Sequence, residues 1–426
     1  MKRILLLLVI LIPTLAAAQV ENVLEIVAAD RHKASGCEGP YRFDAPALTP
    51  SPEGYAPFYI SHYGRHGSRY AWSQKTYTYT KEILDVAAGA GALTPLGKQL
   101  HRDFLDFYLI PMVNYGDLVD LGWEQHAHIA SQMAADFPEV FAEGGNVLAR
   151  ASTAPRAIVS MNAFTVGLQK AAPKITITGS SLHTEMPSTI PTSTPKEIRK
   201  VYAGEVPLPE TSEAFTRRTV DLDAILGRIF TRRDFITRTD WDWRLLTELY
   251  RLWGGYHNYC DSDFLEDVFT KEAVLTLWEA DNYDLYCDHA AARWQNLSLL
   301  EDILARAAAA IEGKGNVADL RFGHDTCFNA LRPLLNVNGC GYMPDKAEDV
   351  KYWFQTYDTP KAGNIQIVLY RSAEKKDPIL FKLLLNGAEA TLPQLTPVSG
   401  PYYRWDDFTA WAAGVLADHP VIEETE

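Results

Sequence analysis

Short apolar strands alternate with helix-forming stretches near both ends of this 426-residue chain, while residues 187–300 between them carry almost no strand signal. Strands from both ends must therefore meet in one layer that the middle cannot enter. The early strands are expected over residues 56–60, 146–150 and 175–178. The late ones are expected over 318–322, 365–370 and 381–385, the last two pairing with each other. Thr94 as N-cap and Pro95 at the first helical position open a helix in which Leu96, Leu100, Phe104, Phe107 and Tyr108 fall at helical spacing. Further helices are expected over 121–137, 155–170, 291–311 and 328–335. The expectation is an α/β fold: a central mixed or mostly parallel sheet flanked by helices, built from residues 20–186 and 301–426. Residues 187–300 would form a mostly helical inserted cap.

Residues 1–19 stand apart. Met1-Lys2-Arg3 is a short basic start, residues 4–12 are uninterrupted and apolar, and Ala16-Ala17-Ala18 offers small residues for cleavage. That is the pattern of a secretory signal peptide, implying a periplasmic or secreted mature chain. No later stretch approaches about 20 consecutive apolar residues, so no membrane insertion of the mature chain is expected. Losing Lys2 and Arg3 takes the formal charge from −14 to −16. This balance argues against nucleic acid as a partner, and any anionic substrate must be drawn by a local basic pocket. Cys37, Cys260, Cys287, Cys327 and Cys340 allow two disulfides in an oxidising compartment, with Cys327–Cys340 and Cys260–Cys287 the nearest pairs in sequence. None has the close spacing of a metal or redox motif, so they read as structural.

The chemistry gathers at three strand ends. Arg65-His66-Gly67-Ser68-Arg69-Tyr70 follows the first strand, placing an imidazole between two guanidinium forks that suit an anion with several oxygens, most naturally a phosphoryl group. Gly67 would let backbone approach the ligand or take φ > 0. Gly323-His324-Asp325-Thr326 sits at a second strand-to-helix junction, and Arg150-Ala151-Ser152-Thr153-Ala154-Pro155-Arg156 at a third.

Together these segments resemble the histidine acid phosphatase family, the branch that holds acid phosphatases, phytases and multiple inositol polyphosphate phosphatases. Arg65 to Arg69 matches its Arg-His-Gly-x-Arg signature, His324-Asp325 its His-Asp pair, and Arg150 to Arg156 its middle arginine segment. Leu121-Gly122-Trp123-Glu124-Gln125-His126 is similar to a helix of that family. Two departures stand out: Ala71 occupies the position where the signature usually has proline, and the inositol polyphosphate group usually carries His-Ala-Glu where this chain has His324-Asp325-Thr326. Leu384-Leu385-Asn386-Gly387 and Tyr402-Tyr403-Arg404-Trp405 look closer to the inositol polyphosphate group. The resemblance implies His66 as nucleophile forming a phosphohistidine and Asp325 as proton donor. It implies Arg65, Arg69, Arg156 and His324 as phosphate ligands, with no metal and no cofactor. The implied substrate is a small phosphorylated molecule, an inositol polyphosphate (phytate) ahead of the broad range of an acid phosphatase. A non-catalytic anion receptor and a phosphomutase are the rivals.

Other residues have plainer readings. Arg150 braces its strand or meets a carboxylate, His62 makes local hydrogen bonds, and His126 and His128 are packing or solvent residues. Asp240-Trp241-Asp242-Trp243 reads as a helix start entering the core, ahead of an aromatic platform for a sugar-like or inositol ring. The basic runs Lys196 to Lys200 and Thr231-Arg232-Arg233 read as surface charge, ahead of the lining of a polyanion pocket.

Overall fold

The computed structural model describes residues 19–190, 208–374 and 377–419, so the leader and the run from Lys196 to Lys200 lie outside the described residues. Among the described residues, β1 (Tyr55–Arg65), β2 (Gly145–Ala151), β3 (Ile175–Ser180), β4 (Ala318–Gly323), β5 (Asn364–Ser372), β6 (Leu380–Leu385), β7 (Ala388–Ala390) and β8 (Tyr403–Arg404) form one sheet. Its order is β3-β2-β4-β1-β5-β6-β7, with β8 beside β6. β3, β2, β4 and β1 are parallel; β5 to β8 pair antiparallel, and β6 meets β5 as the sequence predicts. The expected mixed sheet is therefore present, assembled from both ends of the chain.

The helices that matter for the site are α1 (Gln74–Gly89), α2 (Pro95–Phe107), α3 (Asp120–Asp136), α4 (Pro155–Ala171), α5 (Trp241–Gly255), α6 (Lys271–Leu285), α7 (Leu297–Ile311) and α8 (Asp325–Leu334). Thr94 caps α2 as read, its hydroxyl accepting from Gly97 N at 3.0 Å. The helical middle buries Trp241, Leu245, Leu249, Trp253 and Trp278 in one apolar cluster, which also takes in Tyr77 and Leu84 of α1 and Leu100 and Phe104 of α2. The helix expected from residue 291 begins only at Leu297. Before it run a wide turn at Tyr286–Ala290 and a tight one at Arg293–Asn296. There the buried Arg293 donates to the carbonyls of Ala290 and Gly341, and Asn296 donates to Cys327 O at 2.7 Å, so long-range bonds replace helical continuity.

The two disulfides that the cysteine count allowed do not form, because nearness in sequence does not set the Cα separation and Cβ direction that a bridge needs. One expectation fails: the His62 ring makes no hydrogen bond and lies buried against Phe164 and Phe322, centroids 5.0 and 5.3 Å away. No described helix is long and apolar enough to cross a membrane.

β4 is buried along its whole length, as a central parallel strand should be, yet it carries Arg321. Arg321 stands directly opposite Arg150 of β2 in the parallel register. One carboxylate answers both: Asp302 of α7 takes Arg150 Nη1 at 3.0 Å and Arg321 Nε at 2.7 Å. Burial raises the Asp302 pKa, but the two guanidiniums outweigh it and hold the group ionised. Removing that partner leaves the buried Arg321 without a paired carboxylate and Arg150 with only Glu185 at 3.5 Å. Asp302→Ala should therefore lower unfolding stability by about 3–5 kcal/mol in a urea titration, and a loss below about 1 kcal/mol would contradict the assigned role.

Candidate active site

The parallel register puts the ends of three strands side by side, with Arg65 opposite Gly323 and Ala151 opposite Phe322. His66, Ser152 and His324 are the first residues beyond β1, β2 and β4. His66 N donates to Gly323 O and Ser152 N to Phe322 O, each at 3.0 Å, so the strand pairing continues into the site. Neighbouring helices fix the loop after β1. Gly67 N donates to Ser160 Oγ of α4 at 3.0 Å, and Ser68 N to Gln125 Oε1 of α3 at 2.9 Å. Gly67 does not have positive φ. A Cβ there would lie 2.5 Å from Gly122 O, so the close approach it permits is to the start of α3 rather than to a ligand.

A cavity of about 380 Å³ opens over these strand ends, and His66, Arg69, Arg156, His324 and Asp325 line one end of it. The His66 and His324 rings are 5.5 Å apart, and Arg156 Nη2 reaches His324 Nδ1 at 3.4 Å. His66 Nδ1 lies 3.0 Å from Gly67 O; a carbonyl only accepts, so Nδ1 holds the proton and Nε2 keeps its lone pair. Burial, then Arg69, Arg65 and Arg156, push the His66 pKa well below the ordinary value. Burial and Arg156 bring His324 down to about 3. Arg156 stands in the first turn of α4, behind Pro155, where free backbone donors also favour anions. The Nε atoms of Arg69 and Arg156 are buried without a hydrogen-bond partner, an expense a bound anion would offset.

Arg65, also predicted to bind phosphate, does not line the cavity. It is fully buried, its guanidinium donating to the carbonyls of Cys37 and Thr359 and to Asp325 Oδ2. Burial alone would raise the Asp325 pKa. Arg65, Lys361 and Arg69 reverse this and hold the carboxyl well below the usual carboxylate range. Arg150, paired with Asp302, is the strand brace read from sequence.

Several site residues escaped the sequence reading. Lys361 lies fully buried 2.7 Å from Glu38, and desolvation with Arg65 and Arg69 brings it down to about 7. Asp281, Asp284, Asp288 and His289, from α6 and the turn after it, form a second wall of the cavity, which Arg251 and Trp72 also line. The i, i+3, i+7 spacing of the three aspartates, one helix face, was the available signal. Trp241 is core, and Arg232 and Arg233 pair with Asp234 and Asp223. Among the described residues no three metal-ligating side chains are grouped to hold an ion.

The fold is shared with solved inositol polyphosphate phosphatase and phytase structures. The chain is similar to the Bifidobacterium longum multiple inositol polyphosphate phosphatase solved in complex with inositol hexasulfate, at a TM-score of 0.74 and 17% identity, covering 92% of this chain and 99% of that one. It is similar to the phytase from D. castellii, with a TM-score of 0.66 and 16% identity over 91% and 86% of the two chains. The Hafnia alvei phytase in complex with tartrate matches with a TM-score of 0.56 and 11% identity over 85% and 98%. No protein-family model matches the chain, and no curated protein matches it by sequence.

A cradle of unpartnered donors should bind inorganic phosphate without any turnover. Phosphate at about 100 times its dissociation constant should stabilise the protein by about 2.7 kcal/mol. Arg156→Ala should fold and lose most of that gain; no stabilisation of the wild type would refute the cradle.

Proposed function

We propose that this chain is an exported phosphomonoesterase that works through a phosphohistidine. The observation that carries the reading is His66 with Nδ1 tied to Gly67 O and Nε2 free at the cationic end of the cavity. Nε2 attacks phosphorus as the ester P–O bond breaks. Asp325, once protonated, gives its proton to the departing alkoxide, and its carboxylate then takes a proton from the water that cleaves the P–N bond. Arg69, Arg156 and His324 would hold the equatorial oxygens. Arg65 would back them from beneath the cavity, adding its positive charge to the phosphate site while it holds Asp325. We also propose the helical middle, residues 187–300, as the cap over this cavity.

The free protein holds Asp325 ionised, so the donor must gain its proton on binding. A phosphoryl anion competes for Arg65 and Arg69, weakening the field that depresses Asp325 and raising its pKa in the complex. The protonated fraction falls as pH rises, so turnover should fall toward alkaline pH. His66 stays neutral well into the acid range, so activity should persist at about pH 5, where an ordinary imidazole is mostly protonated. A flat rate across roughly pH 4 to 9 would contradict the donor role.

For the substrate, the likeness to a phosphatase solved with inositol hexasulfate supports an inositol polyphosphate. The acidic second wall of the cavity favours a monophosphate ester instead. Mutation tests the mechanism common to both. His66→Ala should abolish hydrolysis of p-nitrophenyl phosphate and leave no alkali-stable phosphoenzyme. Asp325→Asn should cost about 10²- to 10⁴-fold with alkyl phosphates and much less with p-nitrophenol as leaving group. Equal losses for both leaving groups would remove Asp325 from the proton-donor role.

A further inference from the structure

The cavity is bipolar. Among its described lining residues are five carboxylates, those of Glu38, Asp281, Asp284, Asp288 and Asp325, against the three guanidiniums of Arg69, Arg156 and Arg251. Glu38 is spent on Lys361 and Asp325 on Arg65, while Asp284 accepts from the Ser212 hydroxyl. Asp281 and Asp288 have no hydrogen-bond donor among the described residues, and they line the same cavity as Arg69 and Arg156, whose Nε atoms are buried and unpartnered. Trp72 lines it too, with 58% of its surface exposed, an unusual state for so large an apolar side chain.

The strand ends therefore accept a single phosphoryl group, and α6 with the turn after it offers acceptors to whatever that group is attached to. A tryptophan face and carboxylates lining one cavity suit a sugar ring or an ammonium, through stacking, cation–π attraction and hydrogen bonds. A second phosphate in that region would meet like charge, the repulsive element that builds specificity. We propose that Asp281, Asp288 and Trp72 form a leaving-group subsite that selects monophosphate esters of hydroxyl- or ammonium-bearing alcohols against polyphosphates. The proposal rests on the phosphomonoesterase reading and narrows its substrate. Burial, opposed by Arg251 and reinforced by Asp284, raises Asp281 to about 7, so near neutral pH it can both accept from and donate to a hydroxyl.

The test uses the full-length mature chain and three probes: glucose 6-phosphate, glucosamine 6-phosphate and phytate. Wild-type kcat/KM should favour at least one sugar monophosphate over phytate by about tenfold or more, the two sugars separating hydroxyl from ammonium recognition. In Asp281→Asn/Asp288→Asn that preference should shrink at least about fivefold, chiefly through KM, and Trp72→Ala should raise KM for the sugar phosphates. Calorimetry on His66→Ala should give the same order of affinities with no turnover. Phytate bound and hydrolysed as well as either sugar phosphate, or a ratio unmoved by the double substitution, would overturn the subsite. Hydrolysis of p-nitrophenyl phosphate that survives His66→Ala would instead overturn the phosphohistidine reading, while the affinities on that variant still decide the subsite.

Discussion

The parallel pairing of β1 with β4 is the constraint on which the rest depends. These strands come from opposite ends of the chain, and their register sets Arg65 across from Gly323. His66 and His324 therefore leave the sheet as neighbours, and the bond from His66 N to Gly323 O carries the strand geometry one residue into the site. A one-residue slip would turn every side chain of β4 to the opposite face, exposing Arg321 to the apolar side and separating it from Asp302. Fold and site thus share one determinant, and the buried Arg150–Asp302–Arg321 group checks the register from inside the protein.

Gathering like charges at those strand ends opposes folding, and the surroundings show how it is contained. Arg65 is neutralised by Asp325 and by two backbone carbonyls, and Lys361 by Glu38, which its cationic neighbours hold at a pKa of about 2. His66 and His324 stay uncharged because burial and the arginines both disfavour a further cation. The donors left over are Arg69 and Arg156, on the cavity wall. That residue of unsatisfied positive potential is what an anion would meet, and the buried ion pairs beneath keep it fixed in direction, as preorganised stabilisation of developing charge requires.

Much of this was legible in the sequence for one physical reason: the strand-end motifs are local. A β-strand followed at once by Arg65-His66 or by His324-Asp325 places its chemistry without long-range information, and Thr94-Pro95 marks a helix start on the same footing. What needed the third dimension was partner choice. Lys361 and Glu38 lie far apart in the chain and meet only beneath the cradle. Nothing near Arg65 foretold that its fork would be taken by the carbonyls of Cys37 and Thr359. Gly67 was read as letting backbone approach a ligand, whereas the backbone it approaches is that of Gly122, in another element. Residues 291–296 failed to join the helix that follows them because Arg293 and Asn296 find better partners across the core.

The same scaffold can serve different esters because its two walls have separate origins. The phosphoryl end comes from sheet termini, where register leaves little freedom. The other wall comes from α6 and the wide turn that follows it, in the helical middle. Substitutions on that helix face change what surrounds the leaving group without touching β1 or β4. The widened turn at Tyr286–Ala290 places Asp288 and His289 on the cavity, facing Asp325 across it.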